Sequence, residues 1–243
     1  MNSSLTTKFF HKQISGPFTV PSGIVTTAVP IIEYMFDKVP EVGVLTTKSI
    51  GPEARLGYRE PVLSQYAPGG FVNAVGLTNP GAQRSAELFA ELHIPEDKFL
   101  LISIFGGSVE EFVDVAKLLA PYADGLELNL SCPHAKGYGM AMGQDPDLVR
   151  EITAMVKGTV DVPVIPKLTP NASNIAEIAA ESKNKAKAFI SKILKLGFLP
   201  TQIADSFAIA SGGATFYRNR YKSLKKEGLS DKEAEAQAFQ DFR

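Results

Sequence analysis

The sequence predicts an α/β fold, and three observations carry that prediction. Short, continuously apolar runs recur along the chain, as strands covered on both faces require. Stretches with helical spacing of apolar residues separate them. Polar side chains gather at the C-terminal ends of several runs. The chain has 243 residues, 44% of them hydrophobic, enough to bury the core of one barrel-sized domain or of two small ones.

The first run, residues 18–23 (Phe-Thr-Val-Pro-Ser-Gly), reads as a strand entering a turn. The second, 42–49, ends in Thr47, Lys48 and Ser49. The third, 99–105, is Phe-Leu-Leu-Ile-Ser-Ile-Phe, and the fourth, 125–131, is Gly-Leu-Glu-Leu-Asn-Leu-Ser. The fifth, 162–169, is Val-Pro-Val-Ile-Pro-Lys-Leu-Thr. Between them, residues 81–92 have helical composition. Ser108 followed by Glu111 forms a capping box, and apolar residues keep helical spacing from there to Leu119. Asp145 and Pro146 open another helix, proline being tolerated in the first turn. This alternation fits both a doubly wound sheet and a (β/α) barrel. No glycine-rich dinucleotide fingerprint or P-loop follows the first strand, which weakens the nucleotide-binding version of the doubly wound sheet.

After about Asn174 the pattern changes. Residues 176–196 form a lysine-studded helical stretch and 201–210 another, which Gly212 and Gly213 break. Ser230 and Glu233 form a capping box for a last helix. No convincing strand follows Thr169. The expected organisation is an α/β unit over 1–180 and a helical segment over 181–243.

Composition excludes several classes of function. A net charge of −1, with no basic run interleaved with aromatics, gives no reason to expect nucleic acid or an anionic membrane surface as partner. The start of the chain lacks the features of a secretion signal, and no apolar stretch reaches membrane-spanning length, so a cytoplasmic protein is expected. With Cys132 as the single cysteine, no internal disulfide and no Cys-based zinc or iron–sulfur cage is expected within the chain. The strand ends lack paired His and carboxylate ligands, which argues against a metal hydrolase. The Asp and Glu residues read as solvated charges on helix faces.

Lys48, Asn129, Cys132 and Lys167 all fall at strand C-terminal ends, the edge that carries barrel active sites because the βα loops converge there. Each alone is commonplace. A strand-end lysine is usually solvated, an asparagine before a turn usually caps or turns the chain, and a lone cysteine is usually a small buried hydrophobe. Four at one edge are harder to dismiss.

Four ordered blocks make the pattern specific: Thr47-Lys48-Ser49; Asn-Ala-Val-Gly-Leu (Asn73, Ala74, Val75, Gly76, Leu77) running on to Gly81; Asn-Leu-Ser-Cys-Pro (Asn129 to Pro133); and Pro-Lys-Leu-Thr-Pro (Pro166 to Pro170). Together they resemble the class 1 dihydroorotate dehydrogenases, from about Pro17 to about Ile175. The form of the second block is nearer the NAD-linked subclass than the fumarate-linked one. The resemblance implies a (β/α)8 TIM-type barrel that oxidises dihydroorotate to orotate on FMN in pyrimidine biosynthesis. It implies Cys132 as the acid/base that removes the C5 proton while hydride leaves C6 for the flavin. A thiol suits that task because its pKa lies within reach of neutrality. It implies Lys48, Asn73, Ala74, Val75, Gly76, Leu77 and Asn129 around the substrate. It implies Ser22, Gly23, Lys48, Ser49, Ser103, Asn129 and Lys167 around FMN, with no metal. An electron-transfer subunit with FAD and an iron–sulfur cluster, and a homo-oligomeric assembly, are the partners it implies.

Two departures qualify the resemblance. His134 stands where this family usually has asparagine, and Cys132 to His134 with Gly139, Met140, Gly143 and Pro146 is closer to dihydropyrimidine dehydrogenase, which reduces uracil or thymine. As an alternative, His134 is an ordinary loop histidine. Residues from about Lys183 onward do not match the family. A complete barrel needs eight strands and ~250 residues, whereas five plausible strands are present, so the expected fold is a partial barrel followed by a helical segment. An inactive truncated or fused half-barrel is the reading opposed to the enzyme. Five strands leave apolar edges unpaired and lack the phosphate-gripping loops of the last strands. The chain is therefore expected to bind FMN weakly and to self-associate. Titration with FMN alongside a sizing measurement checks this, and a monodisperse monomer of submicromolar affinity contradicts it.

Overall fold

The computed structural model describes residues 5–24, 28–131, 140–169 and 174–185. The chain divides into two compact units, 1–191 and 192–243; only residues of the first are described. The helical stretches expected over 201–210 and after Ser230 lie outside the described residues.

The five runs read as strands form one parallel sheet: β3 (Phe18–Val20), β4 (Val42–Thr46), β7 (Phe99–Ile104), β8 (Gly125–Leu130) and β9 (Val164–Leu168), in the order β3-β4-β7-β8-β9. Each strand lies beside the next one in the chain that belongs to the sheet. A doubly wound sheet reverses its order at a switch point; this one does not, and winds as a barrel winds. The sheet is thus a partial (β/α) barrel, and among the described residues no strand follows β9.

The helices between the strands are α1 (Val29–Lys38), α2 (Ala82–Phe89), α3 (Val109–Leu119), α4 (Met140–Gly143) and α5 (Pro146–Lys157), and α6 (Ile175–Lys185) follows β9. Two begin where their caps require. The Ser108 hydroxyl accepts from the Glu111 amide at 3.3 Å, while the Glu111 carboxylate takes the Gly107 amide at 2.7 Å, one residue ahead of the N-cap. The Asp145 carboxylate accepts from the amides of Asp147 and Leu148 at 3.0 and 3.2 Å, with Pro146 in the first turn. Sequence reasoning missed α1, whose N-cap Ala28 makes no side-chain cap bond. The α6 helix packs on α5 through fully buried Ile178, with Arg150 Nη1 3.2 Å from Glu181 Oε2.

Two antiparallel hairpins were also missed. The first, β1 (Thr7–Phe9) and β2 (Lys12–Ile14), sits under the N-terminal ends of the strands. Phe9 and Phe10 meet the Phe99 ring at centroid distances of 4.8 and 5.7 Å. The second, β5 (Leu63–Ala67) and β6 (Gly70–Asn73), turns at Pro68 and Gly69. Every residue of β5 is exposed, so no alternation of apolar and polar residues marked it; the Pro-Gly pair was its one local signal.

Side-chain alternation divides the sheet into two faces. Leu45, Leu100, Ile102, Ile104, Leu126, Leu128, Leu130 and Val164 join the helices in one apolar cluster. Phe99, Leu101, Ser103, Glu127, Asn129, Ile165 and Lys167 alternate with them and face the other way. The N-terminal end of that second face is locked by charge as well as by aromatic rings. Asp124 takes Lys12 Nζ and the Leu100 amide, each at 2.8 Å. Buried Lys98 donates to Ser15 Oγ at 2.7 Å and to the carbonyls of Val42 and Pro40 at 2.8 and 3.0 Å. Burial holds its ammonium below the ordinary lysine pKa of 10.5.

Phe99→Ala is expected to cost about 3–5 kcal/mol, as for a large buried aromatic, while Tyr66→Ala on the exposed hairpin stays within about 0.5 kcal/mol; denaturant unfolding separates the two. A lysine with a lowered folded-state pKa binds fewer protons folded than unfolded just below 10.5. Stability should therefore rise with pH across that alkaline window, and Lys98→Met should flatten the rise.

Candidate active site

The C-terminal ends of the five parallel strands carry a continuous hydrogen-bonded set. Ser22, just beyond β3, has its Oγ 3.2 Å from Ser49 Oγ, just beyond β4. Ser49 Oγ is 2.9 Å from Ser103 Oγ on β7 and accepts from Asn129 Nδ2 on β8 at 2.8 Å. Ser103 Oγ donates to Glu127 Oε1 at 2.8 Å, and Lys167 Nζ on β9 donates to the same oxygen at 2.6 Å. One chain of contacts thus crosses every strand of the sheet. The strands position it directly: Glu127 and Asn129 are two apart on β8 and share a face, and the parallel register sets Ser103 beside Glu127 and Asn129 beside Lys167.

Five of the residues singled out from the sequence (Ser22, Ser49, Ser103, Asn129 and Lys167) are therefore brought together. Gly23 and Lys48 lie alongside. Gly23 has φ +88, and a Cβ there would stand 3.9 Å from Lys48 Nζ. That distance is an ordinary contact, so it is the left-handed backbone that favours glycine here. Asn129 is held from its other end, its Oδ1 accepting from the amide and hydroxyl of Ser131 at 3.2 and 3.1 Å. Thr47 Oγ1 accepts from the Ser103 amide at 3.1 Å.

The block Asn73 to Leu77 leaves the exposed hairpin and runs back toward the core. Asn73 is exposed on the rim, Ala74 and Val75 are half-buried, and Gly76 and Leu77 are buried. Gly76 has φ +81, and a Cβ would come within 2.9 Å of the Tyr58 amide nitrogen, so only glycine fits. Asn79 ties the block to the β4 end. Its Oδ1 accepts from the amides of Gly51 and Gly81 at 3.2 and 2.9 Å, and its Nδ2 donates to the Leu77 carbonyl at 2.8 Å. Cys132 and His134 lie outside the described residues.

Glu127 corrects the reading of the acidic residues as solvated helix-face charges. It sits on a strand, 3% exposed, paired with Lys167. The pattern Leu126-Glu-Leu-Asn-Leu130 contained the signal, because a charge alternating with leucines shares the face of Asn129. Asn79 and Thr47 stood inside the sequence blocks, but no role was read for either. Among the described residues, no group of three or more His, Cys, Asp or Glu side chains could hold a metal ion.

Residues 4–198 match the family described as dihydroorotate dehydrogenase. The chain belongs to the dihydroorotate dehydrogenase family. The match reaches further at both ends than the sequence blocks that suggested it. The chain is 40% identical over 189 residues to the protein named dihydroorotate dehydrogenase B (NAD(+)), catalytic subunit, of Pyrococcus horikoshii, covering 78% of this chain and 61% of that one. It is 44% identical over 166 residues to the protein of the same name from Thermococcus kodakarensis, covering 65% and 54%. With the one from Methanocaldococcus jannaschii the identity is 44% over 140 residues, covering 56% and 45%. The chain thus spans about three-fifths or less of the length of these curated relatives. No helix among the described residues is long and apolar enough to cross a membrane.

Asn79→Ala leaves two amides and a carbonyl of this family member without a side-chain partner. It is expected to cost at least ~1–3 kcal/mol, the cost of one buried polar group left unpaired. Denaturant unfolding measures the loss, and hydrogen exchange at Gly51 and Gly81 should quicken.

Proposed function

We propose that the chain oxidises dihydroorotate to orotate on FMN, in pyrimidine biosynthesis. The observation that carries the reading is the hydrogen-bonded set that joins all five strand ends at the edge where barrels hold their ligands. Its chemistry fits a flavin. Two ammonium groups and a side-chain amide offer donors suited to a polar heteroaromatic ring, the three serine hydroxyls tie the strand ends to one another, and Gly23 leaves open space beside Lys48. Ser22, Gly23, Lys48, Ser49, Ser103, Asn129 and Lys167 would hold the cofactor.

Bound FMN supplies a hydride acceptor. The chain's own residues do the rest. Cys132, which follows the anchored Asn129–Ser131 turn in sequence, takes the C5 proton as a thiolate. The C6–H electron pair departs as hydride and the C5–C6 double bond forms. Lys48 pairs with the substrate carboxylate. Asn129 and the block Asn73, Ala74, Val75, Gly76 and Leu77 offer amide and backbone groups to the ring edge, whose donors and acceptors need both. The relatives' name, catalytic subunit of an NAD(+) enzyme, supports a separate subunit as the route for electrons onward; FAD and an iron–sulfur cluster in it are what the family resemblance implies.

Purified protein equilibrated with FMN should show the flavin absorption band, and anaerobic dihydroorotate should bleach it. Cys132→Ala is expected to slow the bleaching by ~10²–10⁴, the range of general acid–base catalysis, with flavin content unchanged. An alanine variant that bleaches at the parent rate removes the cysteine from the mechanism. Lys48→Ala should weaken orotate binding far more than uracil binding. Tighter binding of uracil than of orotate to the parent chain would replace this reading with reduction of uracil or thymine.

A further inference from the structure

We propose that Glu127 is the positioning residue of the flavin site: with FMN as the ligand, as proposed above, its charge offsets that of Lys167 and gives the serine relay a single direction. Stability alone does not account for this residue. Burying an ion pair is often no better than packing apolar side chains of similar volume, because desolvation offsets the attraction. Leu126 and Leu128 on either side already fill the helix-facing cluster.

The direction follows from counting hydrogens. A carboxylate has none to give, so both contacts at Glu127 Oε1 come from donors, Ser103 Oγ and Lys167 Nζ. Ser103 has one hydroxyl hydrogen and spends it on Glu127. In its 2.9 Å contact with Ser49, Ser49 must therefore donate. Ser49 then has no hydrogen left, so Ser22 donates to it across 3.2 Å, as Asn129 Nδ2 does across 2.8 Å. Every hydroxyl points toward Glu127. The amide nitrogen of Asn129 faces Ser49, and its oxygen faces Ser131, which the Ser131 amide requires independently. Asn129 has a second amide hydrogen beyond the one spent on Ser49, and Lys167 two ammonium hydrogens beyond the one spent on Glu127. These are donors suited to a ligand at the strand ends.

The charge balance bears on the cofactor's electronics. A lone ammonium beside a flavin favours the reduced, more negative form, and charges near the ring are among the protein's means of tuning its potential. Glu127 cancels the charge of Lys167 while leaving its hydrogens in place.

The test measures dissociation constants and two-electron reduction potentials of FMN at saturation in the full chain. Glu127→Gln keeps the shape and an acceptor oxygen but loses the charge. It should raise the potential, shifting the reduced-to-oxidised ratio about tenfold, or about 30 mV for a two-electron couple. Lys167→Met should shift it the opposite way. A merely structural role would alter affinity and melting temperature without shifts of opposite sign. Equal potentials in the parent and Glu127→Gln, or shifts of the same sign in the two variants, overturn the assignment. Should Glu127→Gln fail to fold, the double variant Glu127→Gln/Lys167→Met decides, because it removes both charges and leaves neither buried alone. Its potential should return to the parent value, and a potential equal to that of Lys167→Met alone overturns the assignment. A parent chain that binds no FMN rejects the proposed function and this assignment with it. A parent that binds FMN, with unresponsive variants, rejects this assignment alone.

Discussion

The period-two alternation of parallel strands is the constraint from which the site follows. On β8 the even-numbered residues Leu126, Leu128 and Leu130 face the helices, and the odd-numbered Glu127 and Asn129 face the opposite side. The same rule places Ser103 on β7 and Lys167 on β9. The register of neighbouring strands then brings these side chains within hydrogen-bonding distance. A shift of one residue in any strand would send its polar side chain into the helix-facing cluster and a leucine or isoleucine into the site. Fold and site are therefore specified by the same pairing, and neither could drift without the other.

The two ends of that face differ in chemistry. At the N-terminal ends, Phe9, Phe10 and Phe99 fill the space, and Lys98, Lys12 and Asp124 are spent on carbonyls, an amide and one another. At the C-terminal ends the polar groups form a single set with hydrogens beyond those their neighbours take. A lysine at one end is a staple; Lys167 at the other gives one hydrogen to Glu127 and keeps two. The difference lies in how many of the three ammonium donors the protein itself uses.

All five parallel strands were legible in the sequence, because buried parallel strands are continuous apolar runs, and Lys48, Asn129 and Lys167 stood out as their polar terminations; Ser22, Gly23, Ser49 and Ser103 were pointed to by the family resemblance alone. The helices starting after Ser108 and Asp145 were legible from their capping residues, and α2, which has no side-chain cap, from its composition. What stayed hidden lacked a local signal. The α1 helix has no side-chain cap, and β5 has no buried face. Asn79 is a loop asparagine whose three partners become visible only once Gly51, Leu77 and Gly81 are neighbours in space. Glu127 was visible but misread, since charge alone suggests solvent, whereas its phase with Asn129 pointed inward.

The β5–β6 hairpin has a consequence for how Asn73 is held. Its strands are joined by backbone pairing and the Pro68–Gly69 turn, with no residue of β5 buried. Burial is what usually fixes register, so here the turn geometry has to do it. The side chains of Leu63, Tyr66, Phe71 and Val72 are open to solvent, which leaves the composition of the hairpin loosely constrained and its length tightly constrained. One residue added to the loop would move Asn73 by a full strand position while leaving the core of the sheet untouched.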